Sequence, residues 1–267
     1  MPAIQPARLR QQAALLAEHF GDPPAYTRSL HYLLDYYADR ARRPGQSGKP
    51  PPLITAYNVR LPVLRLILQE TLPLAANDPQ ASLALCDALW EEPYLEIRNL
   101  ATMLLGQLPP QPPEPITQRV KSWLTAELDE YLITALLTNS LDRLRKEEPQ
   151  HIVELIQEWL NEPGIFYQQV GLQALLFLIQ DPNFENLPAF YRMLQPLARS
   201  TPIPLRPDLL DVLKVLAQRS PQETAYFLRQ TLETPNATDT PWLIRQTLHH
   251  FPDDLHRSLH ESLRDLE

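Results

Sequence analysis

Apolar side chains recur at three- and four-residue spacing along almost the whole chain. This spacing places them on one face of an α-helix, and a helix buries such a face against a neighbour. No long alternation of apolar and polar residues, which is typical of a strand, interrupts the pattern. The clearest stripes lie at residues 64–72, 85–89, 100–108, 133–144 and 170–178. The sequence therefore predicts an all-α fold.

Prolines mark the starts of the predicted helices, where the missing N–H costs no hydrogen bond. The chain contains 29 prolines and only 6 glycines. Every second proline-marked start follows the previous one after 31 to 39 residues, at Pro79, Pro115, Pro149, Pro188, Pro221 and Pro252. Two helices per period of this length are typical of a HEAT-like α-solenoid, a superhelical stack of antiparallel helix pairs. We predict one such domain over residues 1–267, with extended, proline-rich loops at 44–52 and 109–115.

Charge and cysteine content narrow the possible locations and partners. The net charge of −8 argues against a protein that coats nucleic acid over its whole surface, because phosphate affinity comes from lysine and arginine. The single cysteine, Cys86, excludes an internal disulfide framework and points to a reducing compartment. An apolar run of roughly 18 residues, the minimum for a membrane span, is missing from the sequence. We expect a cytoplasmic monomer that does not act on a membrane.

One segment departs from the acidic average. Between Asp39 and Arg65 the only acid is Asp39, and it faces six cations. These cations are Arg40, Arg42, Arg43, Lys49, Arg60 and Arg65. Two interpretations stay open: a local DNA-binding face, or a solvated loop with flanking helix charges.

Motifs that carry chemistry are scarce. The sequence has no Gly-rich phosphate loop, no G-x-S-x-G and no H-E-x-x-H. His256 and His260 are spaced to share a helix face, as metal ligands can be, but they also fit the polar face of a terminal helix. We adopt the second interpretation and expect neither a metal site nor a cofactor.

More specific patterns begin at residues 57–65 (YNVRLPVLR). Residues 85–90 (LCDALW) and 96–101 (EIRNLA) follow, and then come shorter matches at 159–166 and 212–221. In order and spacing these segments resemble the AlkD-type DNA alkylation repair proteins. That family has G-V-R-V-P-x-L-R at the start of its second helix pair, followed by L-A-x-x-L-W and E-x-R-x-L-A. The resemblance spans roughly residues 55–250.

The resemblance implies a HEAT-like solenoid whose concave face grips duplex DNA through its phosphates. Active members remove N3- and N7-alkylated purines, using tryptophans and an aspartate near the glycosidic bond. The family's W-D-x-x-D stretch corresponds to residues 130–134 (EYLIT), with Thr134 at the position of the aspartate. Gln168 and Gln169 stand where an arginine is expected, and Asp211 where a later tryptophan is expected. Because a carboxylate would stabilise positive charge on the sugar, we expect no catalytic residue here.

The candidate DNA contacts are the cations of the basic segment, Arg98 and one aromatic residue within residues 130–134. They are Arg40, Arg42, Arg43, Lys49, Arg60, Arg65, Arg98 and Tyr131. Arg60 and Arg98 have a second interpretation, as anchors that bond carbonyls or acids such as Glu96 at helix ends.

Three functions fit this pattern. The first is a diverged family member that binds DNA, damaged or branched, on its concave face without glycosylase chemistry. The second is a non-enzymatic scaffold for protein–protein interaction, a frequent use of solenoid surfaces. The third is an active alkylpurine DNA glycosylase with relocated catalytic residues. The sign of the charge on the predicted concave face discriminates the first from the second.

Overall fold

A computed structural model of the chain describes residues 5–41, 52, 54–182 and 184–264. Within these ranges the secondary structure is helical apart from one isolated bridge between Thr55 and Tyr94, and the all-α prediction is confirmed. The first eight helices are α1 (Pro6–Ala17), α2 (Pro23–Tyr37), α3 (Leu61–Asn77), α4 (Pro79–Glu91), α5 (Leu95–Leu105), α6 (Glu114–Trp123), α7 (Glu130–Ala135) and α8 (Asp142–Glu147). The remaining helices are α9 (Pro149–Asn161), α10 (Ile165–Gln180), α11 (Leu187–Arg199), α12 (Arg206–Arg219), α13 (Pro221–Leu232), α14 (Thr240–Thr247) and α15 (Asp253–Arg264).

Most helices begin where the sequence places a proline or an acid. Three helices of the first half are capped by an aspartate whose carboxylate accepts a backbone N–H of the first turn: Asp22 for α2, Asp78 for α4 and Asp129 for α7. Such a cap satisfies one of the otherwise unbonded N–H groups at a helix start. Helix α3 is different, because Arg60 precedes it and provides no side-chain cap.

The chain divides into two compact units, residues 1–148 and 149–267. In the N-terminal unit α1, α3, α5 and α7 pack side by side in sequence, while α2 packs on α4. Helix α6 joins α4 through an ion pair between Arg119 and Asp87 and through stacked Trp90 and Trp123 rings. The unit therefore has two layers of helices, with the apolar stripes buried between them.

The C-terminal unit has the same layered pattern. Helices α10, α12 and α14 pack in one row, and α9, α11, α13 and α15 pack in a second row. Buried leucines such as Leu175, Leu213 and Leu228 fill the space between the rows. The described helices are all too short or too polar to cross a membrane.

A close helix contact shapes the N-terminal unit near the end of α5. Residues Leu136–Ser140, which continue α7, form a turn of π-helix. The backbone of Asn139 lies so close to Gly106 that a Cβ at this glycine would be 1.8 Å from the Asn139 carbonyl oxygen. Only glycine permits this approach, so Gly106 sets the spacing of α5 and the π-helical turn.

Candidate nucleic-acid interface in the N-terminal unit

The segment that precedes α3 is tied to the start of α5 by a buried carboxylate. Glu96 is 6% exposed, and its two oxygens accept the backbone N–H groups of Tyr57 (2.9 Å) and Val59 (3.1 Å). Between them Asn58 has a positive φ of 59°, a conformation that asparagine tolerates better than most residues. Leu95 N–H donates to the carbonyl oxygen of Thr55 at 2.8 Å. The position of Arg60, next in the chain, therefore follows from the position of α5.

A chain of hydrogen bonds fixes the Tyr57 side chain. Its hydroxyl lies 2.6 Å from Nδ1 of His31, and Nε2 of His31 lies 3.0 Å from a carboxylate oxygen of Glu92. The Tyr57 ring stacks on Tyr94, with ring centres 4.8 Å apart. Burial, reinforced by the neighbouring Tyr94, raises the pKa of Tyr57 to about 12, so its hydroxyl keeps its proton at neutral pH. In the imidazole tautomer whose Nε2–H donates to Glu92, Nδ1 accepts a hydrogen bond from the Tyr57 hydroxyl.

Arg98 is held on two sides. Its Nε donates to the Glu92 carbonyl oxygen at 2.8 Å, and its guanidinium lies over the Trp90 ring, 5.3 Å from the ring centre. Trp90 stacks in turn on Trp123, with ring centres 4.5 Å apart. The terminal amines of this half-buried arginine have no hydrogen-bond partner among the described residues.

Arg98 lines a cleft of about 430 Å³ in the N-terminal unit. The walls of this cleft come from the segment before α3, the start of α5 and the loop that leads into α7. The lining residues are Ile54, Thr55, Pro93, Arg98, Thr125, Glu127, Leu128, Asp129 and Leu132. Apolar and polar residues therefore contribute about equally to the lining, and its charged groups are of both signs.

Tyr131 lies just beyond the cleft and is 50% exposed. Its hydroxyl oxygen accepts a hydrogen bond from Nδ2 of Asn99 (3.2 Å), and Asn99 is linked through its Oδ1 to Nδ2 of Asn139 (3.1 Å). Burial, and secondarily the charge of Glu96, raises the pKa of Tyr131. The ring is therefore neutral, fixed at its hydroxyl and open to solvent on the remainder of its surface.

Of the other predicted contacts, the structure describes Arg40, Arg60 and Arg65. Arg40 is exposed and donates from one terminal nitrogen to both oxygens of Asp35, each at 2.9 Å. Arg42, Arg43 and Lys49 lie outside the described residues, as does most of the predicted loop at 44–52. Of the predicted connector at 109–115, residues 109–113 lie between α5 and α6, whereas Glu114 and Pro115 form the first helical residues of α6.

Arg60 and Arg65 are exposed at the start of α3. Neither side chain has an ion pair or hydrogen bond with another described residue. The first turn of α3 contains no acid, and Arg60 supplies no cap, so the positive end of the helix dipole is not compensated locally. Unlike Arg98, Arg60 has no carbonyl or carboxylate partner in the described part of the chain.

The segment 57–65 that forms this helix start lies within a long family match. The model of the family described as DNA alkylation repair enzyme matches residues 37–251, which is most of the chain. The chain belongs to this family. Comparison with curated proteins and with solved structures finds no match.

By resemblance to active members of the DNA alkylation repair enzyme family, Thr134, Gln168 and Asp211 stand at positions where those members have catalytic groups. Thr134 is exposed on α7, and its carbonyl oxygen accepts the Thr138 hydroxyl at 2.7 Å. Gln168 donates to the Glu162 carbonyl oxygen at 2.9 Å, and Asp211 receives the Lys214 ammonium group at 2.9 Å. The Thr134 backbone carbonyl and the side chains of Gln168 and Asp211 thus make local contacts within their own unit.

Sequence reasoning missed two parts of this region. The bond from His31 to Tyr57 joins residues 26 positions apart, and the bond from His31 to Glu92 joins residues 61 positions apart; no local motif marks either. The place of Glu127 in the lining of the cleft was also missed, because no local motif marks this residue. In the described part of the chain, no three His, Cys, Asp or Glu side chains are grouped to hold a metal ion.

Proposed function

We propose that this family member binds duplex DNA through phosphates at the start of α3, and that it does so without excising bases. The observation that carries the proposal is the pairing of exposed Arg60 and Arg65 with the uncapped, acid-free first turn of a 17-residue helix. The positive end of the helix dipole and the two arginine guanidinium groups together favour a phosphate.

The rest of the N-terminal unit supports this assignment. Glu96 and the Tyr57–His31–Glu92 hydrogen bonds hold the segment before α3 in one conformation. A cation on such a rigid support loses little conformational freedom when it binds. Exposed Tyr131 adds an aromatic surface within the same unit.

The absence of excision follows from the position that corresponds to the family's aspartate. Exposed Thr134 cannot stabilise positive charge on a sugar as a carboxylate does. We extend the proposal to the architecture: the two layered units are HEAT-like repeats of a single superhelical domain that presents this DNA-binding surface on its concave face, in a cytoplasmic monomer.

The test compares duplex DNA affinity of the wild-type protein with that of Arg60→Ala/Arg65→Ala. We expect the double variant to bind about tenfold more weakly at low salt, and to reduce the slope of log affinity against log salt by about 2 because two phosphate contacts are lost. Fluorescence anisotropy at salt concentrations between roughly 50 and 200 mM measures both quantities.

The matched control is Arg28→Ala/Arg192→Ala, which removes two exposed arginines that also have no partner among the described residues. Equal losses in both double variants would show that DNA responds only to net charge, and the proposal would be wrong. Wild-type protein without salt-dependent affinity for DNA would favour the protein-scaffold alternative. Release of base from duplex containing N7-methylguanine, faster than spontaneous loss, would instead establish the glycosylase alternative.

A further inference from the structure

The Arg98 side chain is held in position, but its terminal amines have no hydrogen-bond partner among the described residues. The carbonyl oxygen of Glu92 holds its Nε, and Trp90 covers one face of its guanidinium. Arg98 lines a cleft, and its two terminal amines have no acceptor among the described residues. A guanidinium fixed in this way can present two neighbouring donors, so the cleft is suited to a ligand with two neighbouring acceptors.

The carboxylates in the cleft restrict the chemistry of that ligand. Glu127 is exposed, has no ion pair among the described residues and lines the same cleft as Arg98. Asp129 also lines it, with one carboxylate oxygen engaged by the Tyr131 N–H at 2.9 Å. Two carboxylates disfavour a phosphate or another anion, so the ligand needs donors beside its two acceptors.

A guanine base has this arrangement of groups. Its O6 and N7 are adjacent acceptors that match an arginine fork, and its N1–H and N2–H₂ are donors suited to a carboxylate. Adenine offers a donor at the position of O6, which an arginine cannot accept. The apolar residues Ile54, Pro93 and Leu132 also line the cleft and can contact the faces of a base.

We propose that this cleft is a binding site for a guanine base with a free N7, in which Arg98 bonds O6 and N7 and Glu127 bonds N1–H and N2–H₂. The base is one that is unpaired in DNA or carried by a free nucleoside. Binding of a base in DNA rests on the proposed function, because the strand has to be held nearby. Binding of a free nucleoside does not depend on the proposed function. The site accepts unmodified guanine and rejects 7-methylguanine, because methylation removes the N7 acceptor and adds positive charge facing Arg98.

The nucleoside experiment uses isothermal titration of the full chain with guanosine, 7-methylguanosine, 7-deazaguanosine and adenosine. We expect guanosine to bind at least about tenfold more tightly than the other three, since each lacks part of the O6/N7 acceptor pair. Glu127→Gln replaces one of the two oxygens that accept guanine N1–H and N2–H₂ by an amide NH₂, which is a donor, and lowers guanosine affinity by a similar factor. The control Glu130→Gln changes an exposed carboxylate that does not line the cleft and leaves guanosine affinity unchanged.

A second variant, Arg98→Lys, keeps the charge and removes the fork. It is compared with wild type by its melting temperature as well as by guanosine affinity, so that an unfolded variant is recognised. Equal affinity for all four nucleosides, absence of guanosine binding, or guanosine affinity unaffected by Glu127→Gln in a folded protein would each overturn the proposal.

A DNA-binding experiment distinguishes the two sources of the base, DNA and a free nucleoside. Duplexes contain guanine or thymine opposite an abasic analogue, or are fully paired. We expect unpaired guanine to increase the affinity of wild-type protein and of Arg60→Ala/Arg65→Ala by the same factor, and to have no effect in Glu127→Gln. Guanosine binding without this increase assigns the site to the free nucleoside. Weak binding of every duplex, with guanosine binding intact, contradicts the proposed DNA function and leaves the guanine site standing.

Discussion

The two units use the same arginine–tryptophan contact in opposite ways. In the N-terminal unit Arg98 lies over Trp90, bonds one backbone carbonyl and leaves its terminal amines in a cleft. In the C-terminal unit Arg206 lies over Trp242, 4.7 Å from the ring centre, and its terminal nitrogen donates to Asp239 at 2.9 Å.

The second arrangement includes further bonds, although Nε of Arg206 is buried without a partner among the described residues. The other carboxylate oxygen of Asp239 accepts the Thr201 N–H at 2.8 Å, so Arg206 and Asp239 together secure the chain before α12 and α14. Arg219 likewise donates to the carbonyl oxygens of Ile179, Asp181 and Phe184. These arginines stabilise turns, whereas Arg60, Arg65 and the Arg98 terminal amines are available to a ligand. Whether a cationic side chain already has a partner is therefore a better guide to its function than the net charge of the segment that contains it.

The largest expected effect concerns helix spacing in the two units. Gly106→Ala places a Cβ 1.8 Å from a backbone carbonyl oxygen that cannot move without displacing the π-helical turn. Gly171→Ala places it 2.9 Å from Cγ and Cδ2 and 3.3 Å from the backbone N of Leu160, a less severe approach than at Gly106.

We expect the Gly106 variant to lose more than about 3 kcal/mol of unfolding free energy. The Gly171 variant should lose about 1 kcal/mol or less, because alanine's higher helix propensity offsets part of the crowding. Urea unfolding measures both. Similar losses would mean that the close approach at Gly106 has no special role.

A smaller effect separates the two arginine–tryptophan contacts. Arg206→Met leaves Asp239 without its charged partner, and we expect it to lower the unfolding free energy by about 2 kcal/mol. Arg98→Met removes a bond to a neutral carbonyl and a cation–π contact, and we expect a loss of about 1 kcal/mol. Thermal and urea unfolding of both variants test this difference. A greater loss for Arg98 would show that it is the main structural anchor and would weaken the assignment of its amines to a ligand.

The smallest expected effect is on the pH dependence of stability, and it compares one carboxylate from each unit. Glu96 accepts two backbone N–H groups, whereas Asp208 has a long bond, 3.5 Å, from Nε2 of Gln173, and burial raises its pKa. A raised pKa means that the folded state binds this proton more tightly than the unfolded state. The resulting stabilisation is present below the ordinary carboxyl pKa and is lost as pH rises through the raised value.

We therefore expect Asp208→Asn to increase the melting temperature at pH 7 by a few degrees, less than about 4 °C. The increase should shrink as pH falls below the ordinary carboxyl pKa. The control Asp254→Asn alters an exposed carboxylate of the same unit. An increase that is independent of pH would argue against a titration effect.

Sequence alone determined the elements and the family. Spacing of apolar residues is a local property of the chain, and so are proline and aspartate at helix starts; both identify helices before any packing is known. The segments at 57–65 and 85–101 carry the family pattern in consecutive residues, and the family match confirms that resemblance.

Which charged side chains are left without a partner depends on how the helices pack, so it could be seen only in the folded structure. The local sequence does not show that Arg98 and Arg206 differ in their partners. Nε of Arg98 donates to a carbonyl oxygen six residues away, whereas a terminal nitrogen of Arg206 donates to a carboxylate 33 residues away. The cleft likewise combines Thr55, Arg98 and Glu127, which no local pattern connects. Helical periodicity fixes which face of a helix is buried, but the partner of each polar group depends on which distant helix packs against it. For this reason the sequence predicted the helices well and the candidate site only in part.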